Sequence, residues 1–440
     1  MSAKNSTVEL RQEKTWVSCV GDFAILKKFF AQKQGPIWYT MQLFEALLRG
    51  FGQVVFVNNP LGGLLIIVTW ATVDPGTLAL SVAAAVLGLL LSVVIREPRN
   101  IVENGLSVYN PVLVGSVSYV LIPQIYGAFD AFSFLLVFLG TILSVYLTRS
   151  LRSDTFACMT WPFNLVEIVL IFALSTQNGA NELTKSMEPM LEKHNATSET
   201  TMTTMNSTGF YAESNDYVNW GMVFRGCVVS SAQVYGINNE ILGAVIYLAM
   251  LMYSPTSTVF SFFGAFCGTL AGLQLGVDHD KVYNGIWGYN NVLTGSALGG
   301  NLFVLNGQTA AAAVMGIIFT SLVQYSLESI FINTQLSSVL TLPFVIATSF
   351  FFKLNNGKGD LTFPWPVPPM SFPEKQRHDY LMRQRKIPRK NLRSSFRMKR
   401  GRPKLIINDL SLNNMRNYNL ALYDNSIRAN RLAEAMRKYA

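Results

Sequence analysis

Charge is scarce in this chain. Only 14% of its 440 residues are Asp, Glu, Lys or Arg while 50% are apolar, against about a quarter charged in ordinary soluble domains, which excludes a purely soluble fold. Histidine is scarcer still. His194, His279 and His378 all lie in polar segments, so a conductor built on two intramembrane histidines is excluded. The four cysteines, Cys19, Cys158, Cys227 and Cys267, are scattered without CxxC spacing and read as small apolar residues, not as a zinc site or a disulfide framework. No nucleophile with its base, metal cluster or phosphate loop is present. Enzyme activity, a cofactor, a metal site and a nucleic-acid partner are therefore not expected. A cleavable signal peptide is not expected either, because residues 1–37 are polar and basic, and insertion falls to internal helices.

What is abundant is apolar sequence, in runs near 61–72, 79–95, 111–123, 131–147 and 163–175, then 218–232, 241–253, 257–276, 292–305, 309–324 and 336–352. Several are well short of the roughly 20 residues that cross a bilayer as a straight helix. Short pieces of this kind suggest re-entrant or broken helices lining a cavity.

The net charge of +9 is concentrated in the tail, where residues 371–440 hold 18 Lys or Arg and 5 Asp or Glu. Read with Lys4, Arg11, Lys14, Lys27, Lys28 and Lys33, the positive-inside rule places both termini in the cytosol. A polar stretch between the halves carries the sequons at Asn195 and Asn206, usable as glycosylation sites only if the loop is extracellular. With both termini inside and the loop outside, each half crosses an odd number of times. The halves then have opposite orientations.

They are also related in sequence. GQVVFVNN at Gly52–Asn59 returns as AQVYGINN at Ala232–Asn239, offset by 180 residues. At the same offset NGLSVYNPVLVGS (Asn104–Ser116) meets NGIWGYNNVLTGS (Asn284–Ser296) with 8 of 13 positions identical, and TWPF (Thr160–Phe163) meets TLPF (Thr341–Phe344) one residue later. Three phrases in one order mark an internal duplication. The recurring polar residues are Gln53, Asn58, Asn59, Asn104, Tyr109, Asn110 and Thr160, with Gln233, Asn238, Asn239, Asn284, Tyr289, Asn290 and Thr341. None is charged. Carboxylate rings, carbonyl filters of the TVGYG kind and pore-facing Arg or Lys are all missing from these phrases. A small neutral polar solute is what remains.

Those phrases resemble the signatures of the urea transporter family, over roughly residues 38–354 and in both halves. The resemblance implies an all-α polytopic membrane protein: a first inverted repeat over 38–176, an extracellular loop over 177–217, a second repeat over 218–354 and a basic cytosolic tail over 355–440. It implies about five transmembrane helices plus a re-entrant helix in each repeat, and a pore within each subunit of a homotrimer in the plasma membrane. The activity implied is passive permeation of urea and small urea analogues. By the same resemblance Gln53 and Gln233 would bond urea at the two mouths. Val54, Tyr109 and Leu113 would form one flat apolar slot, Val234, Tyr289 and Leu293 the other, and Thr160 and Thr341 would sit at the centre.

The physics of the solute suits such a pore. Urea is planar, so a flat slot selects shape, and a row of oxygens lets hydrogen bonds be exchanged singly, avoiding the ~1–3 kcal/mol cost of an unpaired group. Two alternatives stay open: an ion-coupled transporter of a small neutral solute, and a homologue that has lost conduction. The latter is raised by Ser107, Val108 and Pro111, which stand where half two has Trp287, Gly288 and Asn291. A β-branched residue resists positive φ and proline removes a donor, so the first slot is expected to differ in shape. Gly236 in place of Phe56 is expected to make the mouths unequal. Asn58, Asn59, Asn238 and Asn239 are expected to cap helices, and Glu167 to pair with a basic or backbone group. Glu45, Arg49, Arg225, Glu240 and Glu328 read as segment-end charges that reach the membrane edge.

Overall fold

Proline opens helix after helix, because its fixed φ suits a first helical turn and its missing N–H is not needed there. The computed structural model describes residues 20–127, 129–153, 156–192 (177–192 by backbone alone), 217–331, 338–357, 359–366 and 371–386 (385–386 by backbone alone). A short helix α1 (Ala24–Ala31) precedes α2 (Pro36–Gln53), α3 (Pro60–Val73), α4 (Pro75–Val94), α5 (Arg99–Glu103), α6 (Tyr109–Ile125), α7 (Ala131–Leu151) and α8 (Trp161–Glu192). The second half runs α9 (Trp220–Gln233), α10 (Glu240–Tyr253), α11 (Pro255–Gln274), α12 (His279–Tyr283) and α13 (Tyr289–Ser296). A π-helical turn at Ala297–Asn301, then α14 (Gly307–Phe331), α15 (Leu342–Phe352) and α16 (Pro373–Lys386), complete the order. Two units meet in sequence between Met382 and Arg383, and all the helices through α15 belong to the first.

The duplication is written into this order. Helices α2 and α9 both end on the repeated glutamine, α4 and α11 span 75–94 and 255–274, and α5 and α12 span 99–103 and 279–283, all at the 180-residue offset. The caps repeat too. Asn59 and Asn239 accept from the amides of Leu61 and Leu242, each at 2.9 Å, and Asp74 and Ser254 cap α4 and α11 at 3.1 Å. Helix pairs pack closely at matching points: a Cβ on Gly63 would lie 1.8 Å from the Leu48 carbonyl, and one on Gly243 2.4 Å from that of Val228.

Helices α4, α7, α11 and α14 are long and apolar enough to cross a membrane, with shorter apolar helices at α3, α10, α15 and residues 161–176 of α8. Among the described residues there is no β-strand beyond an isolated bridge between Ser153 and Phe156. The chain is an all-α polytopic membrane protein.

Helix α8 keeps helical backbone through 177–192, inside the stretch read from sequence as loop. Glu182, Leu183, Lys185 and Met187 there are good helix formers. Asn195 and Asn206 lie outside the described residues.

Candidate substrate pathway

Each half builds a matching cluster around its glutamine, the candidate mouth of a pathway. Gln53 donates Nε2 to the carbonyl of Asn104 at 3.0 Å, and Gln233 donates to that of Asn284 at 2.8 Å. A carbonyl oxygen can only accept, so this bond fixes which way each amide faces and leaves its Oε1 as an acceptor. The carbonyls are presented by tight turns after α5 and α12, where Gly105 and Gly285 take φ of 67° and 75°, a region glycine enters without steric cost.

Cations hold the asparagines of these turns. In half one Lys27 donates to Asn104 Oδ1 at 2.7 Å, Asn58 Nδ2 donates to the same oxygen at 2.9 Å, and Arg49 donates to the carbonyl and Oδ1 of Asn58 at 2.7 and 3.0 Å. In half two Arg225 alone reaches both Asn284 Oδ1 and Asn238 Oδ1, each at 3.4 Å, and the Tyr283 carbonyl at 3.1 Å. Lys27 belongs to α1, ahead of the apolar helices. Burial pushes its ammonium down to about 8, helped by Arg49 and opposed by Asp22, Glu45 and Glu103, so at neutral pH it remains mostly charged.

Deeper in, the Tyr-Asn pairs grip one backbone carbonyl in each half. Tyr109 OH donates to the Met159 carbonyl at 2.8 Å and Asn110 Nδ2 to the same oxygen at 3.3 Å. Tyr289 OH and Asn290 Nδ2 do this to the Leu340 carbonyl, the latter at 3.2 Å. Met159 and Leu340 both have positive φ, 40° and 50°, a strained conformation for such residues that the Tyr and Asn donors help to hold. The next residues are Thr160 and Thr341, whose hydroxyls meet at 2.7 Å. Asn164 joins them, donating to Thr341 Oγ1 at 2.8 Å and accepting from the Thr341 amide at 3.0 Å.

A cavity of about 780 Å³ leads to this point from the second mouth, lined by Gln233, Val234, Tyr289 and Thr341 and, from the first half, by Val117, Val120 and Phe163. Gly236, φ 78°, also lines it, and a Cβ there would meet nothing closer than Val120 at 3.8 Å. In half one the same position is Phe56, φ 63°. Its ring stands 6.1 Å from that of Phe344. The two equivalent positions thus differ in bulk, a ring at Phe56 against open space at Gly236.

A family model described as urea transporter matches residues 44–356. The chain belongs to the urea transporter family. Among its relatives, Urea transporter 1 of Ovis aries is 26% identical over 341 residues, 78% of this chain and 84% of that protein. Urea transporter 1 of Mus musculus is 25% identical over 361 residues, 81% and 87% of the two chains.

Within this urea transporter family member, Gln233, Val234, Tyr289 and Thr341 come together on one cavity, and Thr160 joins Thr341. Leu113 and Leu293 are fully buried core residues, one helical turn beyond Tyr109 and Tyr289. Val54 is buried at the end of α2.

Several expectations change. Val108 and Gly288 share one backbone conformation, φ −106° and −105°, so the valine adopts no positive φ. Space is settled by a paired exchange: Gly50 leaves room for Val108 (a Cβ on Gly50 would lie 2.3 Å away), while Ser230, its counterpart, fills against Gly288. Pro111 sits in the first turn of α6, where its missing N–H has no helical partner to lose. Arg49 does not reach out to solvent; it is buried and ion-paired with Glu45. Among the described residues Glu167 pairs with neither a base nor the backbone but with the Ser118 hydroxyl, at 3.1 and 3.0 Å from its two oxygens. Asn59 and Asn239 are caps as expected; Asn58 and Asn238 instead serve the mouths. Sequence reading missed Asn164, whose signal was a lone amide in an apolar run, and the Met159 and Leu340 carbonyls, which carry no side-chain signature.

Proposed function

We propose that the protein conducts urea passively across a membrane, through a path running from Gln53 past Tyr109 and Thr160, then Thr341 and Tyr289, to Gln233. The observation that carries this reading is the paired arrangement of uncharged hydrogen-bonding groups: each half presents an oriented glutamine, a tyrosine on a backbone carbonyl and a threonine, and the two threonines touch. Such a series can replace water's bonds to a neutral amide step by step without holding it tightly, as fast passage requires. Val54, Tyr109 and Leu113, with Val234, Tyr289 and Leu293, form the apolar walls in this reading. The family relationship supports urea as the solute.

The same reading makes the halves inverted repeats related by an axis in the membrane plane. The closeness of Gly62, near the start of α3, to Ala249, toward the end of α10, supports antiparallel counterparts. Both termini are cytosolic, the subunit is one of three in a plasma-membrane trimer, and catalysis plays no part. Stopped-flow urea efflux from vesicles carrying purified protein tests the function. Flux should be unchanged when sodium and proton gradients are imposed or dissipated. Flux that disappears with either gradient, or no urea flux from folded protein, overturns it.

A further inference from the structure

Lys27 lies outside the duplicated halves, yet at the first mouth it does what one arm of a guanidinium does at the second. Arg225 spans both asparagines of its mouth with two nitrogens. Arg49, on the corresponding helix of half one, reaches only Asn58. It spends its remaining donors on Glu45 and the Asp22 carbonyl. Among the described residues that would leave Asn104 without a cation. Lys27 supplies it.

We propose that Lys27 is a positioning residue for Gln53, acting through Asn104 to hold the carbonyl that orients the glutamine amide. Lys27 touches the Asn104 side chain, and the Asn104 backbone carbonyl touches Gln53, so the effect travels through a single residue. The segment that brings it there is anchored independently. Gly21 offers its carbonyl to Asn59 Nδ2 at 2.7 Å, and Asp22 offers its own to Arg49 at 3.0 Å. On its other side Gly21 lies against the Phe372 ring, which would be 2.2 Å from any Cβ placed there. The first mouth is therefore completed by chain from outside the repeat, and the second is complete within it.

In its flux arm the proposal rests on the urea reading above. Urea permeability per folded protein is compared for wild type, Lys27→Met, Lys27→Arg, Gln53→Ala and the Lys27→Met/Gln53→Ala pair. Losing one charge-assisted bond while Asn58 still serves Asn104 should lower permeability by on the order of threefold to tenfold in Lys27→Met. Lys27→Arg should restore it, and Lys27→Met should cost nothing further once Gln53 is gone. Wild-type permeability in Lys27→Met, or the same loss with and without Gln53, overturns the proposal. A second measurement needs no transport: amide hydrogen exchange over 104–108, with 284–288 as the control inside the same molecule. Faster exchange at the first turn alone in Lys27→Met, reversed in Lys27→Arg, supports the role even if wild type passes no urea, a result that would sink only the urea reading. Unchanged exchange at 104–108 overturns it.

Discussion

The two mouths perform one geometric task with different burial. At the first, Arg49 and Glu45 are 0% and 9% exposed as side chains; at the second, Arg225 and Glu240 are 28% and 57% exposed. Residues that share a task in a duplicated protein need not carry equivalent energies. A buried guanidinium with four acceptors is part of the core, and an exposed one is partly replaceable by water.

Substituting the two arginines tests this contrast most severely. Arg49→Ala leaves Glu45 buried and uncompensated, and should destabilise the protein by about 3–5 kcal/mol. Arg225→Ala should cost no more than about 1 kcal/mol. Denaturant midpoints of the two variants would measure the gap, and equal losses would break the comparison. Next in size come Leu113→Ala and Leu293→Ala, each expected to cost about 2–5 kcal/mol as core truncations. If these leucines also wall the slots, the methylurea-to-urea permeability ratio should rise in both surviving variants. An unchanged ratio in both returns them to packing alone. A smaller effect than that of the leucines is expected from Gly236→Phe, which would make the second mouth resemble the first. Phenylalanine at that positive φ should cost about 1–2 kcal/mol, and its ring should lower passage of bulkier amides more than that of urea. Passage unaffected by the added ring would place position 236 off the pathway.

Much of this arrangement was legible in the sequence because duplication printed it twice. Gln53 and Gln233, Tyr109 and Tyr289, and Thr160 and Thr341 stand out in sequence as pairs, and each pair makes matching hydrogen bonds. What could not be read was anything carried by a single copy or by backbone. Lys27 lies beyond the repeat, among other basic residues of the leading segment, and nothing local marks it as a mouth residue. Arg49 and Arg225 fall at non-equivalent positions, so aligning the halves hides their common role. The Met159 and Leu340 carbonyls are indistinguishable in sequence from any others. The expected strain at Val108 was misplaced because the positive φ belongs to Gly105 and Gly285, three residues earlier, and not to Gly288.

The exchange between Gly50 with Val108 and Ser230 with Gly288 fixes an order of events. Gly50→Ser alone would drive a side chain into Val108, whose Cβ lies 2.3 Å from where the new Cβ would stand. Val108→Gly alone would leave only a small void. Of the two single steps between these states, the one through paired glycines is sterically open and the one through serine beside valine is closed. Divergence of the halves at this contact therefore had a passable direction: room had to appear on one helix before bulk could arrive on its neighbour.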